Sequence, residues 1–351
     1  MLIFKPARTI LLMTTCGLAM LAPPLSSLAR SKREPVAEVV QPPAPAVGLS
    51  DRFVADAAAY QAYIERASAV SPNFANGVGV ADGLRTTAAY APQALLRGAV
   101  AYGAVAALAS PTFVASVRAA ATSEDNRRII LGYLVSDPNY AIVFAGSDVA
   151  AGLAKEALMS SGARLVTTGK AIKASAYSVQ HQAWSRELVV DPAGRLSAVE
   201  AAASGGLASA SDHEASLRSA ASGGAPLPIT AAAEKPPYSP LVLRALQLAA
   251  IAALGEAGEE AYGRLNAATP NADSDACLHM VRLNLNQCLA VAKPHYEDIF
   301  CMGQHAMTDT GACLVKSSIV EVAPPPVVHE AVVEKPKAKT THTRAKRRRR
   351  K

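Results

Sequence analysis

Four cysteines, Cys277, Cys288, Cys301 and Cys313, stand within 37 residues of a 351-residue chain; the fifth, Cys16, lies near its start. An even number in so short a stretch constrains the fold strongly, because each bridge holds two Cα atoms within about 7 Å of each other. Three pairings are formally possible. Asp273-Ser274-Asp275 reads as the cap of a helix running from about Ala276 to Ala292, and Lys293-Pro294 breaks it before a second helix near Pro294. Cys277 and Cys288 are 11 apart, about three turns, so they share a face. Folded back as a hairpin, the helices place Cys288 and Cys301 beside the turn. Cys277 and Cys313 then lie far from it, at similar distances on either side. The expected pairing is therefore nested, Cys288–Cys301 with Cys277–Cys313. Gly303 and Thr308 to Gly311 are where the second helix is weakest. His279, His295 and His305 share the segment, so a metal site is the alternative. The close cysteine pairs of zinc ribbons and the CxxCH of c-type haem attachment are absent, and no metal or cofactor is expected.

Whether thiols pair depends on the compartment. Lys5 and Arg8 precede an apolar run from Ile10 to Leu21, and Ser27-Leu28-Ala29 puts small residues before Arg30. Residues 1–29 therefore read as a signal peptide cleaved near Ala29, and the mature protein as periplasmic or secreted. The apolar run is shorter than the roughly 20 residues a bilayer span takes. An uncleaved anchor is one alternative. A lipoprotein at Cys16 is another, although Met13 and Thr15 depart from a lipobox.

The charge is segregated. Of the formal +7, residues 1–29 carry +2, from Lys5 and Arg8. From Ala323 onward ten basic residues oppose Glu330 and Glu334, giving +8. The remainder is −3, so the basic balance belongs to the tail and not to the body. The tail residues are Lys335, Lys337, Lys339, Arg344, Lys346, Arg347, Arg348, Arg349, Arg350 and Lys351. Like charges repel, so 321–351 is expected to be disordered and extended, with these ten forming a polyanion-binding element.

Between the ends the pattern is helical. Residues 30–50, with Pro35, Pro42, Pro43 and Pro45, read as a spacer. Phe53, Ala57, Tyr60 and Ile64 recur at threes and fours and share a helix face. Asn76 to Gly83, with three glycines, reads as a loop, and Leu84 to Ala109 as a helix. Gly98 to Val117 carries no charge and has the length of a membrane span. It is rich in alanine and interrupted at Ser110-Pro111, so a buried helix pair is expected. Ser123, Asp137, Ser147 and Asp191 read as helix caps, with Gly162 stopping one helix and Arg164 to Leu188 forming the next. The expected organisation is a helical domain over 51–203, a Ser/Gly/Pro-rich linker over 204–240 and a helical region with the four-cysteine hairpin over 241–320. Patterns expected of strands hardly appear. The fold class is all-α: an Ala-rich, multi-helix body, its small side chains letting helices approach closely.

The motifs of zinc proteases, α/β-hydrolases, P-loops and dinucleotide folds are absent. Asp273 and Asp275 read as helix-start acids, as do Glu297 and Asp298. His181 and Trp184 fall at i,i+3 on an expected helix, the Trp sealing the core edge. No catalytic residue is assigned. The segments Leu285-Asn286-Gln287-Cys288-Leu289, Pro294-His295-Tyr296-Glu297-Asp298 with Cys301, and Gly303-Gln304-His305 resemble exported proteins of uncharacterised function from Gram-negative bacteria. That resemblance covers about a tenth of the chain and implies no activity.

The expected function is that of a non-enzymatic structural or interaction protein of the cell envelope. Its basic tail would be held by an anionic partner: phospholipid, lipopolysaccharide or cell wall. An exported enzyme with a site assembled across the fold is the alternative. Nucleic acid competes for the tail only if the chain is not exported.

Overall fold

The computed structural model describes residues 47–205, 207–208, 210–266 and 271–320. The expected signal peptide, most of the spacer and the basic tail lie outside the described residues. Among those described there are thirteen α-helices and no strand, only the isolated bridges Leu49↔Ala257 and Leu188↔Pro294. The end of the spacer does pack: Gly48 N donates to Ala252 O at 3.1 Å and Ser50 N to Ala257 O at 3.0 Å.

Helix α1 (Asp51–Ser68) starts where Ser50 Oγ accepts Phe53 N, and it buries Phe53, Ala57, Tyr60 and Ile64 on one face as their spacing requires. Helix α2 (Gly77–Thr87) occupies the stretch expected to be a loop. Asn76 caps it through Gly79 N at 2.9 Å, while Val80 and Leu84 are buried. A glycine inside a helix costs about 1 kcal/mol. Here it is required, because a side chain at Gly77 would run into the His295 ring.

The expected helix over Leu84 to Ala109 is therefore divided, and α3 (Pro92–Leu108) begins afresh with proline in its first turn. It meets α4 (Pro111–Ala120) at 90° across Ser110. Twelve of the seventeen α3 residues are buried, so the uncharged stretch is a core helix pair. Among the described residues no single helix is long and apolar enough to cross a membrane.

Helix α5 (Glu124–Ser136) is capped by Ser123, and Asp137 caps the 3₁₀ turn Pro138–Val143. Helix α6 (Ser147–Val179) runs for 33 residues, about 50 Å, through both the expected stop at Gly162 and the expected start at Arg164. It begins after Gly146, whose φ of 80° favours glycine, and not at a Ser147 cap. Gly162 and Gly169 serve close approach instead of termination. A Cβ at Gly162 would stand 2.7 Å from Gly311 O, and one at Gly169 would stand 2.7 Å from Gly303 O.

Helix α7 (Pro192–Ser204) follows its Asp191 cap as expected. Helix α8 (Ser211–Ala221) lies inside the expected linker and buries Leu217, Ala220 and Ala221 in the same core as α1 and α3. Helix α9 (Pro240–Ala253), capped by Ser239, is apolar apart from Arg244 and Gln247, and α10 (Glu259–Asn266) places Tyr262 edge-on to Phe53 at 5.3 Å. The hairpin is α11 (Ala272–Val291), α12 (His295–Cys301), a π-helical stretch Met302–Asp309 and α13 (Thr310–Ser318). Asn271 caps α11, one turn earlier than expected, with Asp273 and Asp275 in the first turn.

Two cores result. The larger joins α1, α3, α6, α8 and α9, with more than a dozen buried alanines and the aromatic pair Tyr63–Tyr90 at 5.2 Å. Burial raises the pKa of both phenols, which stay neutral: Tyr63 donates to Thr87 O at 2.9 Å, and Tyr90 shares a 2.7 Å bond with Thr310. The smaller core gathers Val80, Ile172, Leu285, Leu289, Ile299 and Met302 around the hairpin turn.

Candidate functional site

The hairpin is closed twice. Cys277 pairs with Cys313 and Cys288 with Cys301, the nested arrangement, with Cα–Cα distances of 5.9 and 5.7 Å. The closed loops span 36 and 13 residues, and each bridge is worth about 3–4 kcal/mol through loss of unfolded-state freedom. These bonds suit an oxidising, extracytoplasmic environment.

A third clamp was not legible in the sequence. Arg195 of α7 reaches across to the turn, where its guanidinium pairs with Asp298 and donates to Leu289 O and, at 3.4 Å, to Ala292 O. It thereby satisfies carbonyls at the end of α11 while neutralising an acid in the first turn of α12. The two side chains are 6% and 3% exposed. Burial raises the pKa of Asp298, and Arg195 pulls it the other way. Glu297, beside it, accepts Lys293 N at 2.9 Å, so the two acids hold the helix start.

Between the end of α6 and this turn lies a groove of about 380 Å³. It is lined by the Cys288–Cys301 disulfide, Tyr177, Tyr296, Phe300 and Val291, with Gln180 and Glu297 as polar lining residues. Tyr177 meets Phe300 edge-on at 6.1 Å, and Lys173 Nζ sits 5.1 Å above the Phe300 ring. From Lys173 a polar chain leads away. Its Nζ donates to Gln304 Oε1 at 2.7 Å, and Gln304 Nε2 donates to Asp309 Oδ1 at 2.7 Å. The other carboxylate oxygen lies 2.8 Å from His305 Nδ1. The π-helix makes this chain possible. Residues five apart lie far apart around an α-helix, whereas the wider π turn bonds i to i+5 and brings Gln304 beside Asp309. The arrangement can hold an apolar or aromatic segment against the disulfide, with one cation at its edge.

The three histidines are dispersed. His279 lies 3.5 Å from Asp275, His295 packs on Gly77, and His305 joins the polar chain. Among the described residues no three His, Cys, Asp or Glu side chains gather as metal ligands. His181 and Trp184 do not share a helix face, because α6 ends at Val179 and Trp184 opens a 3₁₀ turn. Trp184 packs on the edge of the smaller core, its Nε1 donating to Gln182, while His181 is exposed. The ten basic residues from Lys335 to Lys351 lie outside the described residues. No protein-family model, no curated protein and no solved structure matches the chain.

Proposed function

We propose that this is an exported, non-enzymatic structural or interaction protein of the cell envelope, tethered to an anionic surface by its basic C-terminal segment. The observation that carries the reading is the pair of nested disulfides, which form and persist where thiols are oxidised. The signal-like N-terminus agrees with it. In that setting the accessible polyanions are phospholipid headgroups, lipopolysaccharide phosphates and cell-wall carboxylates. Each Lys or Arg near an anionic membrane contributes about 1 kcal/mol, so the ten from Lys335 to Lys351 suffice for reversible attachment. The body, at −3 over residues 30–322, adds no attraction of its own.

The test compares the full chain with a variant in which those ten residues are glutamine. Co-sedimentation with anionic vesicles or envelope fractions should be strong at low salt, fall steeply as salt rises, and vanish in the variant. Sedimentation that ignores both salt and the substitutions removes the tether.

A further inference from the structure

We propose that the outer face of α11 is the docking surface for this chain's own segment Val322–Val328. Helix α11 turns Leu278, Val281, Leu285 and Leu289 inward. Its outer side is uncharged as well. Ala276, Met280, Leu283, Gln287 and Val291 recur at spacings of four, three, four and four, so they form a single exposed stripe. Met280 is 56%, Leu283 53% and Val291 74% exposed. Gln287 interrupts the stripe and the exposed His279 flanks it, but three large apolar side chains on one face make a surface that a partner can cover.

The ends of the stripe identify that partner. Its N-terminal end adjoins a groove of about 210 Å³ lined by Asp273, Cys277, Ile319 and Val320. The described chain stops at Val320, which lines that groove together with Asp273 and Cys277 of α11. The far end, at Val291, opens into the disulfide groove. Glu321 comes next, and the seven residues after it, Val322-Ala323-Pro324-Pro325-Pro326-Val327-Val328, carry no charge; the next acid is Glu330.

Length agrees with composition. From Ala276 to Val291 the helix advances about 22 Å. Seven residues of proline-rich chain in the polyproline II form also cover about 22 Å. Such a segment loses little conformational entropy on docking, and aromatic-lined grooves are its usual receptors. The path therefore carries Val327 and Val328 from the stripe into the groove walled by Tyr177, Tyr296 and Phe300. The surface stands whether or not the protein is exported.

The full, oxidised chain carrying p-benzoylphenylalanine in place of Met280 or Leu283 tests this; both positions are exposed, and intact disulfides confirm the fold. After irradiation and proteolysis, mass spectrometry should find crosslinks to residues 322–328 of the same molecule, in a yield independent of protein concentration. Changing Val327 and Val328 both to Asp should lower that yield about tenfold. Crosslinks that rise with concentration and join two copies overturn the proposal. So does a yield to 322–328 no higher than from the same label at Ile129, exposed on α5.

Discussion

Around α3 the helices are held together by small side chains in number, whereas around the hairpin turn they are held by a few strong links. The α3 core presents Ala99, Ala101, Ala104, Ala106 and Ala107 from one helix alone. Each buries little apolar surface, so stability there comes from many helices lying close together. The smaller core has fourteen buried residues among those described. It adds a disulfide and the buried Arg195–Asp298 pair. The difference teaches that the α3 core tolerates dispersed change, while the hairpin depends on named contacts.

The largest expected effect comes from breaking the ion pair on one side. Arg195→Ala leaves Asp298 buried and uncompensated and should cost about 3–5 kcal/mol in denaturant unfolding. Arg195→Ala combined with Asp298→Asn should recover part of that loss, because the stranded charge is gone. Equal loss in the single and double variants would mean that packing, not the pair, holds the turn.

Removal of the inner bridge comes next. Cys288→Ala with Cys301→Ala should cost about 3 kcal/mol. Hydrogen exchange should accelerate in α12 and the end of α11 while α3 stays protected. Acceleration spread evenly over both cores would erase the distinction between them.

The smallest effect is a pH dependence where α8 covers the larger core. Burial acts to raise the Glu65 pKa, but hydrogen bonds from His213, at 2.8 Å, and from Gln61 take it below its usual value of 4.5. A carboxylate with a depressed folded pKa adds stability above its unfolded pKa and loses it as pH falls through the folded value. Glu65 is too exposed for the gain to be large. The melting temperature of the protein should therefore exceed that of Glu65→Gln slightly at pH 6, with the gap closing below about pH 4. A gap that is constant with pH removes the interaction.

The legible part of this fold was local. Caps at Ser123, Asp137 and Asp191 act within three residues of themselves, so their sequences announce them. The cysteine pairing was legible because helix rise and a proline turn fix distances along a hairpin. What the sequence concealed was set by distant partners. Gly162 resembles a helix stop until Gly311 lies against it, and the glycines after Asn76 resemble a loop until His295 packs on Gly77. Arg195 reaches residues 94 to 103 positions away, with no local signal. The groove is equally non-local, because α6, α11 and α12 each contribute one side.

The most direct test of this account is a non-reducing peptide map of the protein taken from the cells that make it. It predicts two linked peptide pairs, Cys277 with Cys313 and Cys288 with Cys301, in an extracytoplasmic fraction. Four thiols that alkylate without reductant, or a crossed pairing, would contradict both the hairpin and the compartment inferred from it.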